Sequence, residues 1–177
     1  EAYQLLDDDW TEIAVDLEII QTEGTEAIKK VDPLMVTKKK GGKEQEVQDG
    51  WKGHIIPFEL VQNTILLEEK ERIKDKENRL SEIASEYEEI FDSLTEEEKG
   101  FDFVSEYDWV ISEVKRALKS DSIELETKEK LETIAKINDE EKSLKAEIKT
   151  KSALLETKTK DIIENLSDEQ ASELLKA

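Results

Sequence analysis

Residues 32–62 read DPLMVTKKKGGKEQEVQDGWKGHIIPFELVQ and interrupt a sequence that is otherwise acidic and patterned for helices. Within this stretch, the run MVT at 35–37 precedes a Lys-Gly-Gly-Lys turn, and EVQ at 46–48 follows it. Two β-prone runs on either side of a glycine-containing turn are typical of a β-hairpin. We therefore expect a small hairpin here, within a chain whose remaining segments are helical.

The loop after this hairpin is marked by two glycines, Gly50 and Gly53, on either side of Trp51. Pro57 then leads into a helix, because a proline lacks only a donor that would be unpaired in the first helical turn. We expect the apolar residues of the loop to anchor it onto helices. The alternative, an aromatic site that stacks nucleotides, is disfavoured because nothing nearby supplies a phosphate cradle. The expected anchors are Trp51, Ile55, Ile56 and Phe58.

Upstream of the hairpin, the sequence predicts a helix from about Asp8 to Thr22, which Gly24 would end. Its apolar residues recur at helical spacing along one face, and we expect this face to be internal core. A surface that covers a neighbouring domain is the alternative. The residues are Trp10, Ile13, Ala14, Leu17 and Ile20.

Downstream, apolar residues seven positions apart indicate two long helices. A seven-residue repeat that continues over several heptads implies that each helix packs against a helical partner. The first helix carries the column Leu66, Ile73, Leu80, Tyr87 and Leu94. The second begins near Ile123 and carries the column Ile148, Leu155 and Ile162. Thr95 with Glu98, and Ser167 with Gln170, have the spacing of capping boxes that begin short helices.

Between the long helices, the segment 101–118 has the densest apolar content of the chain and predicts a short buried helix at the turn. We interpret it as a hydrophobic cluster that closes a helical hairpin. A partner-binding patch is the alternative, because Tyr107 and Trp109 are residue types that protein interfaces favour.

Charge and composition limit the possible functions. The net charge is -20, and a surface that binds DNA phosphates needs excess positive charge, so we expect weak or no DNA binding by this chain alone. The one compact basic cluster surrounds the glycines of the hairpin turn, where a solvated tip is favoured over a phosphate contact. It consists of Lys38, Lys39, Lys40 and Lys43. The absence of cysteine and of long apolar runs indicates a cytoplasmic protein with no membrane segment.

Catalytic and metal-binding patterns are poorly supported by the residues. His54 is the one histidine, and it lies in the loop without cysteine or carboxylates at a recognisable metal-ligand spacing. We interpret it as a loop histidine with a structural partner. The many glutamates between apolar seam positions are typical of a solvated helix face.

Residues 32–62, together with 10–30 (WTEIAVDLEIIQTEGTEAIKK), 80–90 (LSEIASEYEEI) and 160–175 (KDIIENLSDEQASELL), resemble the C-terminal region of the methylation subunit of type I restriction-modification systems. The resemblance implies a parent enzyme that transfers a methyl group from S-adenosylmethionine to adenine N6 in DNA, after flipping the base out of the duplex. A Gly-rich S-adenosylmethionine loop and an Asn-Pro-Pro-Phe-like tetrapeptide do not occur among residues 1–177. We therefore expect this chain to be non-catalytic, with the cofactor bound only by the parent.

Taken together, the patterns predict an all-α fold: a long antiparallel coiled-coil-like helical arm, with a short aromatic-rich helix at its turn and a small β-hairpin near its base. We expect the segment 1–59 to hold the first helix, the hairpin and the loop. The segment 60–177 would hold the arm and the start of a terminal helix. Both segments would form one structural unit of a larger protein.

The resemblance also implies partners: a specificity subunit, a second methylation subunit, a restriction subunit, and DNA through the assembled complex. We expect the C-terminal half of the chain to bind the specificity subunit, because Lys151 and Lys158 interrupt its seam and the terminal helix lacks an obvious core. The expected partner-binding residues are Leu144, Ile148, Leu155, Ile162, Leu174, Leu175, Tyr107 and Trp109. A self-sufficient coiled-coil scaffold or homodimerisation module, unrelated to DNA modification, is the alternative function.

Overall fold

The computed structural model describes the backbone of residues 2–40, 42–106, 108–120 and 123–175, and the side chains of these residues from Ile13 onward, apart from that of Lys40. These ranges contain six α-helices and two two-stranded antiparallel sheets. The all-α fold expected from the sequence is therefore wrong, and the fold is mixed. The reason is that the hairpin strands are ten and eleven residues long, twice the length of an average strand.

The elements follow one another along the chain as helices interrupted by the two sheets. They are α1 (Ala2–Glu23), a 3-10 turn (Thr25–Lys29), β1 (Val31–Lys40), β2 (Lys43–Gly53), α2 (Phe58–Thr64), α3 (Leu67–Asp92), a second 3-10 turn (Glu98–Gly100), β3 (Val104–Ser105), β4 (Asp108–Trp109), α4 (Ile111–Ala117), α5 (Leu125–Glu164) and α6 (Asp168–Leu174). The capping box predicted at Ser167 and Gln170 is confirmed, because both reciprocal hydrogen bonds are present at the start of α6.

The chain forms two compact units. Unit 1 consists of Glu1–Glu71 and Ser152–Ala177, and unit 2 of Arg72–Lys151. The helices α3 and α5 each contribute residues to both units. The sequence suggested a division into the segments 1–59 and 60–177. The two compact units differ from it, because unit 1 combines residues from both ends of the chain.

The core of unit 1 joins the loop after the hairpin to the end of α5 and to α6. Ile55 and Ile56 of the loop are buried against Ile163 of α5 and Leu174 of α6. The hairpin expected from the sequence is present, with Val36 opposite Val47 and Pro33 opposite Trp51. Leu174 is only 7% exposed, so α6 has a core within its own chain.

Two glycines allow the base of the hairpin to approach its neighbours closely. A Cβ on Gly53 would lie far inside van der Waals contact with the carbonyl oxygen of Ile56. A Cβ on Gly50 would overlap the carboxylate of Glu156, and its φ of 106° is also disfavoured for residues with a side chain. This close approach lets the Trp51 backbone N–H donate to Glu156 Oε1 at 2.8 Å.

The indole of Trp51 is covered from α5. Lys160 Nζ lies 3.5 Å from the centroid of the ring, a cation–π contact, and Trp51 is partly buried. Trp51 therefore anchors on a helix, as the sequence predicts, but it lies in β2 instead of the expected loop.

The core of unit 2 is built around Trp109. Its indole lies edge-on to Phe91, with centroids 6.1 Å apart, and stacks on Phe103 at 6.4 Å. Trp109 Nε1 donates to the carbonyl oxygen of Tyr87 at 3.3 Å. The helix in this segment is α4, which buries Val114, but these aromatic residues precede it. The expected aromatic-rich helix is therefore wrong: Trp109 lies on β4, Phe103 on the irregular chain before β3, and Phe91 near the end of α3.

Ion pairs connect α3 with α5 along unit 2. Lys76 Nζ lies 2.8 Å from Glu147 Oε2, and Arg79 Nε lies 2.8 Å from Glu140 Oε1. The hydrogen bonds that the Arg79 guanidinium donates to Glu140, and then to Glu86 and Glu82, raise its pKa. Later residues of α3 therefore meet earlier residues of α5 in unit 2. The single long coiled-coil-like arm expected from the heptad columns is wrong, because the chain divides into two compact units and each long helix is divided between them.

Glu98 is a buried carboxylate at the start of the second 3-10 turn. The capping box predicted at Thr95 and Glu98 is confirmed: the Thr95 N–H donates to Glu98 Oε2 at 2.7 Å, and the Glu98 N–H donates to Thr95 Oγ1 at 3.2 Å. Thr127 Oγ1 donates to Glu98 Oε1 at 2.8 Å, and Lys130 Nζ lies 3.3 Å from Oε2. Burial raises the pKa of Glu98, but these hydrogen bonds outweigh it and lower that pKa to about 2.

Gly53→Ala tests the close approach of the loop to itself. We expect a loss of roughly 1–3 kcal/mol in the free energy of unfolding, because the new methyl group must displace the Ile56 backbone. Gly100→Ala is the matched control, because no atom lies within 4 Å of its added Cβ. Urea unfolding followed by circular dichroism measures both. Equal stabilities of the two variants would contradict the packing described for Gly53.

Glu98→Gln tests the buried carboxylate. Because the pKa of Glu98 falls from 4.5 to about 2 on folding, its stabilising contribution is complete above about pH 5 and is lost as the pH falls toward 2. We expect the variant to be less stable than the wild type at pH 7, with the difference shrinking between pH 5 and 2. Thermal unfolding across this range measures it. A difference that stays constant with pH would contradict the assignment.

Candidate functional site

Part of the apolar face of α1 is uncovered. Ile13 is 50% exposed and Leu17 is 53% exposed, whereas Ile20, further along the same face, packs against the core of unit 1. We call Ile13 and Leu17 the α1 stripe. The expectation that this face is internal core is wrong for Ile13, Ala14 and Leu17, which are all exposed. The side chain of Trp10 lies outside the described residues.

The partner-binding residues expected from the sequence differ in how much surface they offer. Leu155 and Leu174 are buried, with 8% and 7% exposed. Leu144, Ile148 and Ile162 are partly buried. Leu175 is 48% exposed and is the member of this set with a largely free side chain among the described residues.

Of the two aromatic residues expected at the partner-binding patch, the structure describes Trp109. Trp109 is 8% exposed and belongs to the core of unit 2, so its ring offers little surface to another molecule. Tyr107 lies outside the described residues.

The two lysines that interrupt the seam of α5 have different surroundings. Lys158 Nζ lies 3.1 Å from Glu69 Oε1 of α3, and both side chains remain partly exposed. Lys151 is exposed. Leu154 is 54% exposed beside the buried Leu155, and sequence analysis did not single it out. A leucine one position off the heptad column is the signal that could have found it.

The lysines at the hairpin tip are partly neutralised. Lys38 Nζ lies 2.7 Å from Asp49 Oδ1, and Lys39 Nζ lies 4.0 Å from Glu44 Oε1. Lys43 is exposed, and Lys40 pairs with it through the backbone, with a side chain outside the described part. Two of the four charges therefore already have carboxylate partners, which weakens the tip as a phosphate site.

His54 ties the loop to the first strand. Its Nδ1 lies 2.6 Å from Asp32 Oδ2, and its backbone N–H donates to the carbonyl oxygen of Lys30 at 3.0 Å. The buried Nε2 has no hydrogen-bond partner, and Glu23 Oε1 lies 4.0 Å away. Among the described residues, no group of three or more histidine, cysteine, aspartate or glutamate side chains could hold a metal ion. Asp32 and His54 thus form a structural pair at the base of the hairpin.

Comparisons of the chain with protein-family models, with curated proteins and with solved structures give no match. Within the described ranges, no helix is long and apolar enough to cross a membrane. The α1 stripe is an apolar surface that the described part of the chain leaves uncovered.

Replacing Lys38, Lys39, Lys40 and Lys43 with alanine tests the hairpin tip as a DNA contact. We expect the wild type and this variant to bind duplex DNA equally weakly at physiological salt, because the net charge is -20 and two of the lysines are paired. Fluorescence anisotropy with labelled duplex DNA measures it. The control replaces four lysines of α5: Lys128, Lys136, Lys142 and Lys149. Tight wild-type binding that only the tip variant loses would contradict the expectation.

Proposed function

We propose that this chain is the C-terminal helical region of a type I restriction-modification methylation subunit, and that it binds the specificity subunit without taking part in methyl transfer. The resemblance of residues 32–62 and of the three flanking segments supports the family. The α1 stripe supports the binding role. It lies within 10–30, one of the resembling segments, and its apolar side chains are not covered by the described part of the chain.

The exposed stripe is the observation on which the binding role depends. Ile13 and Leu17 lie one turn apart, and each is half exposed. Covering the exposed half of such a side chain contributes about 1 kcal/mol, so a partner helix that covers the stripe gains stability from these two residues alone. In a helix without a partner, an apolar face exposed to water gains no such stabilisation.

Charge indicates what kind of helix binds there. The sequence of α1, AYQLLDDDWTEIAVDLEIIQTE, contains seven acidic residues and no lysine or arginine. A partner helix that places basic residues beside its own apolar face would complement this charge and associate faster. We therefore propose an amphipathic, basic-flanked helix of the specificity subunit as the occupant of the α1 stripe.

In the intact enzyme proposed here, S-adenosylmethionine and the flipped adenine belong to another part of the methylation subunit. This chain then serves in the assembly of the larger complex. That complex also contains a second methylation subunit and the restriction subunit. DNA is bound by the assembled complex in the cytoplasm. The roles of the buried carboxylate Glu98 and of the pair Asp32 and His54 are structural in this proposal.

Self-association through α1 is the second candidate, because an uncovered apolar face could also pair with another copy. The acidic residues of α1 argue against it. Two copies would bring fourteen acidic side chains together without a basic residue in either helix, and like charges at an interface cost affinity. If the scaffold function were correct, the chain would form a dimer through α1 in the absence of the specificity subunit.

Ile13→Gln combined with Leu17→Gln tests the proposal. We expect at least a tenfold loss of affinity for the proposed specificity subunit, because two central apolar contacts are removed. Val15→Gln is the matched control, because Val15 is also 50% exposed but lies on the opposite face of α1. Isothermal titration calorimetry measures the affinities, and light scattering measures the mass of each variant alone.

Two outcomes would contradict the proposal. One is an unchanged affinity in the double variant with its helical content intact, which would place the docking surface elsewhere. The other is a wild-type dimer that the double variant disrupts in the absence of the specificity subunit, which would favour the scaffold function.

A further inference from the structure

The pairing of the hairpin strands shifts at Asp49 and Gly50 of β2. The residue pairs on either side of the shift are Pro33 with Trp51 and Met35 with Gln48. Asp49 and Gly50 therefore face a single residue of β1, Leu34. This arrangement is a β-bulge, which interrupts the ladder of hydrogen bonds between two strands. Gly50 has a φ of 106°, which glycine adopts without strain.

An aspartate followed by glycine can react with its own backbone. The nitrogen of the glycine attacks the side-chain Cγ of the aspartate, and a five-membered ring closes as the N–Cγ bond forms. The hydroxyl of the neutral carboxyl group leaves with the amide proton as water. Glycine favours the attack because no side chain shields its nitrogen and because its backbone rotates most freely. Asp49 and Gly50 are the one Asp-Gly or Asn-Gly pair among residues 1–177.

The carboxylate of Asp49 is open to water and has one ionic restraint. Its side chain is 52% exposed. Lys38 Nζ lies 2.7 Å from Asp49 Oδ1 and comes from the opposite strand, β1. Ring closure needs the carboxyl group to turn toward a nitrogen of its own strand, whereas Lys38 holds it toward β1. The ion pair therefore opposes the reaction.

Asp92 offers a comparison within the same chain. It is exposed, ends α3 and precedes another small residue, Ser93. The nitrogen that would attack is engaged there, because the Ser93 N–H donates to the carbonyl oxygen of Glu89 at 3.1 Å. Ring closure at Asp92 would break this helical hydrogen bond. Both aspartates are exposed, so the difference between them lies in the backbone that follows.

The bulge also touches α5, so a change in its backbone affects the packing of unit 1. The Trp51 N–H donates to Glu156 Oε1 at 2.8 Å, and a Cβ on Gly50 would lie 2.2 Å from the same oxygen. This place in the chain has no room for one additional carbon. A main chain lengthened by a methylene group between Asp49 and Gly50 would therefore displace Gly50 from Glu156 and break the hydrogen bond of Trp51.

We propose that Asp49 and Gly50 form a site of spontaneous isomerisation, in which Gly50 N attacks Asp49 Cγ with loss of water and a second water opens the ring. Opening at the N–Cγ bond restores aspartate. Opening at the bond between Gly50 N and the main-chain carbonyl carbon of Asp49 gives isoaspartate, whose main chain runs through Cβ and Cγ. Lys38 slows ring closure, and isoaspartate releases the hairpin from Glu156. This site is independent of the α1 stripe.

Incubation of the full chain in ¹⁸O-labelled water at roughly pH 6, followed by digestion in ordinary water and mass spectrometry, tests the reaction. We expect isoaspartate at position 49, in a peptide with a shifted retention time that carries one labelled oxygen. It should accumulate at least about fivefold faster than isoaspartate at Asp92. Asp49→Glu is the matched control, because it keeps the charge but cannot close a five-membered ring. Absence of the labelled isomer, or equal rates at Asp49 and Asp92, overturns the proposal.

Two lysine variants test the restraint on the carboxylate. Lys38→Ala should raise the rate of isomerisation at Asp49 about twofold to fivefold, because it removes the ion pair. Lys39→Ala changes the net charge equally, but Lys39 pairs with Glu44, so the rate should stay at that of the wild type. Equal rates in the two variants overturn the role of Lys38.

Urea unfolding tests the consequence for the hairpin. The isomerised chain is separated by ion-exchange chromatography and compared with unmodified chain from the same incubation. We expect a lower urea midpoint for the isomerised chain, because the contact between Trp51 and Glu156 is lost. In Glu156→Ala this contact is already absent, so isomerisation should lower the midpoint less. An unchanged midpoint in the wild type, or an equal loss in Glu156→Ala, overturns the release of the hairpin from Glu156.

Discussion

The close approach between the Gly53 Cα and the Ile56 carbonyl is the constraint on which unit 1 depends. It lets the chain leave the second strand and turn within three residues, so that Ile55 and Ile56 enter the core while Trp51 remains against α5. The packing of α5 and α6 in unit 1 then follows, because their buried residues share a cluster with that loop. A side chain at Gly53 would separate the hairpin from the helices that hold it.

Local patterns in the sequence predicted local structure well. Both capping boxes and the hairpin depend on residues at fixed short spacing, and all are present. The coiled-coil-like arm, which depends on distant segments, was wrong. The fold class was wrong because nothing in the sequence sets how far two paired strands extend. Leu174 and Ile83 were missed as core for a similar reason: their neighbours come from distant segments of the chain.

The candidate sites show the same limit. The helical spacing of apolar residues predicted the apolar face of α1. Whether that face is exposed depends on whether other segments of the chain cover it, and the spacing carries no information about that. Lys158 interrupts the seam of α5, and its ion-pair partner Glu69 comes from another helix. No spacing in the sequence encodes such a contact between distant segments.

The long hairpin has a consequence for the solubility of the protein. A two-stranded sheet has two outer edges, and among the described residues β1 pairs with no strand other than β2. Open edges with exposed apolar side chains such as Met35 invite strands of other copies and, with them, aggregation. Lys38 and Lys39 place charge along one edge, and Pro33 removes a donor from it. Charge and proline on an edge strand disfavour the addition of strands from neighbouring molecules, a physical effect of these residues that requires no nucleic acid.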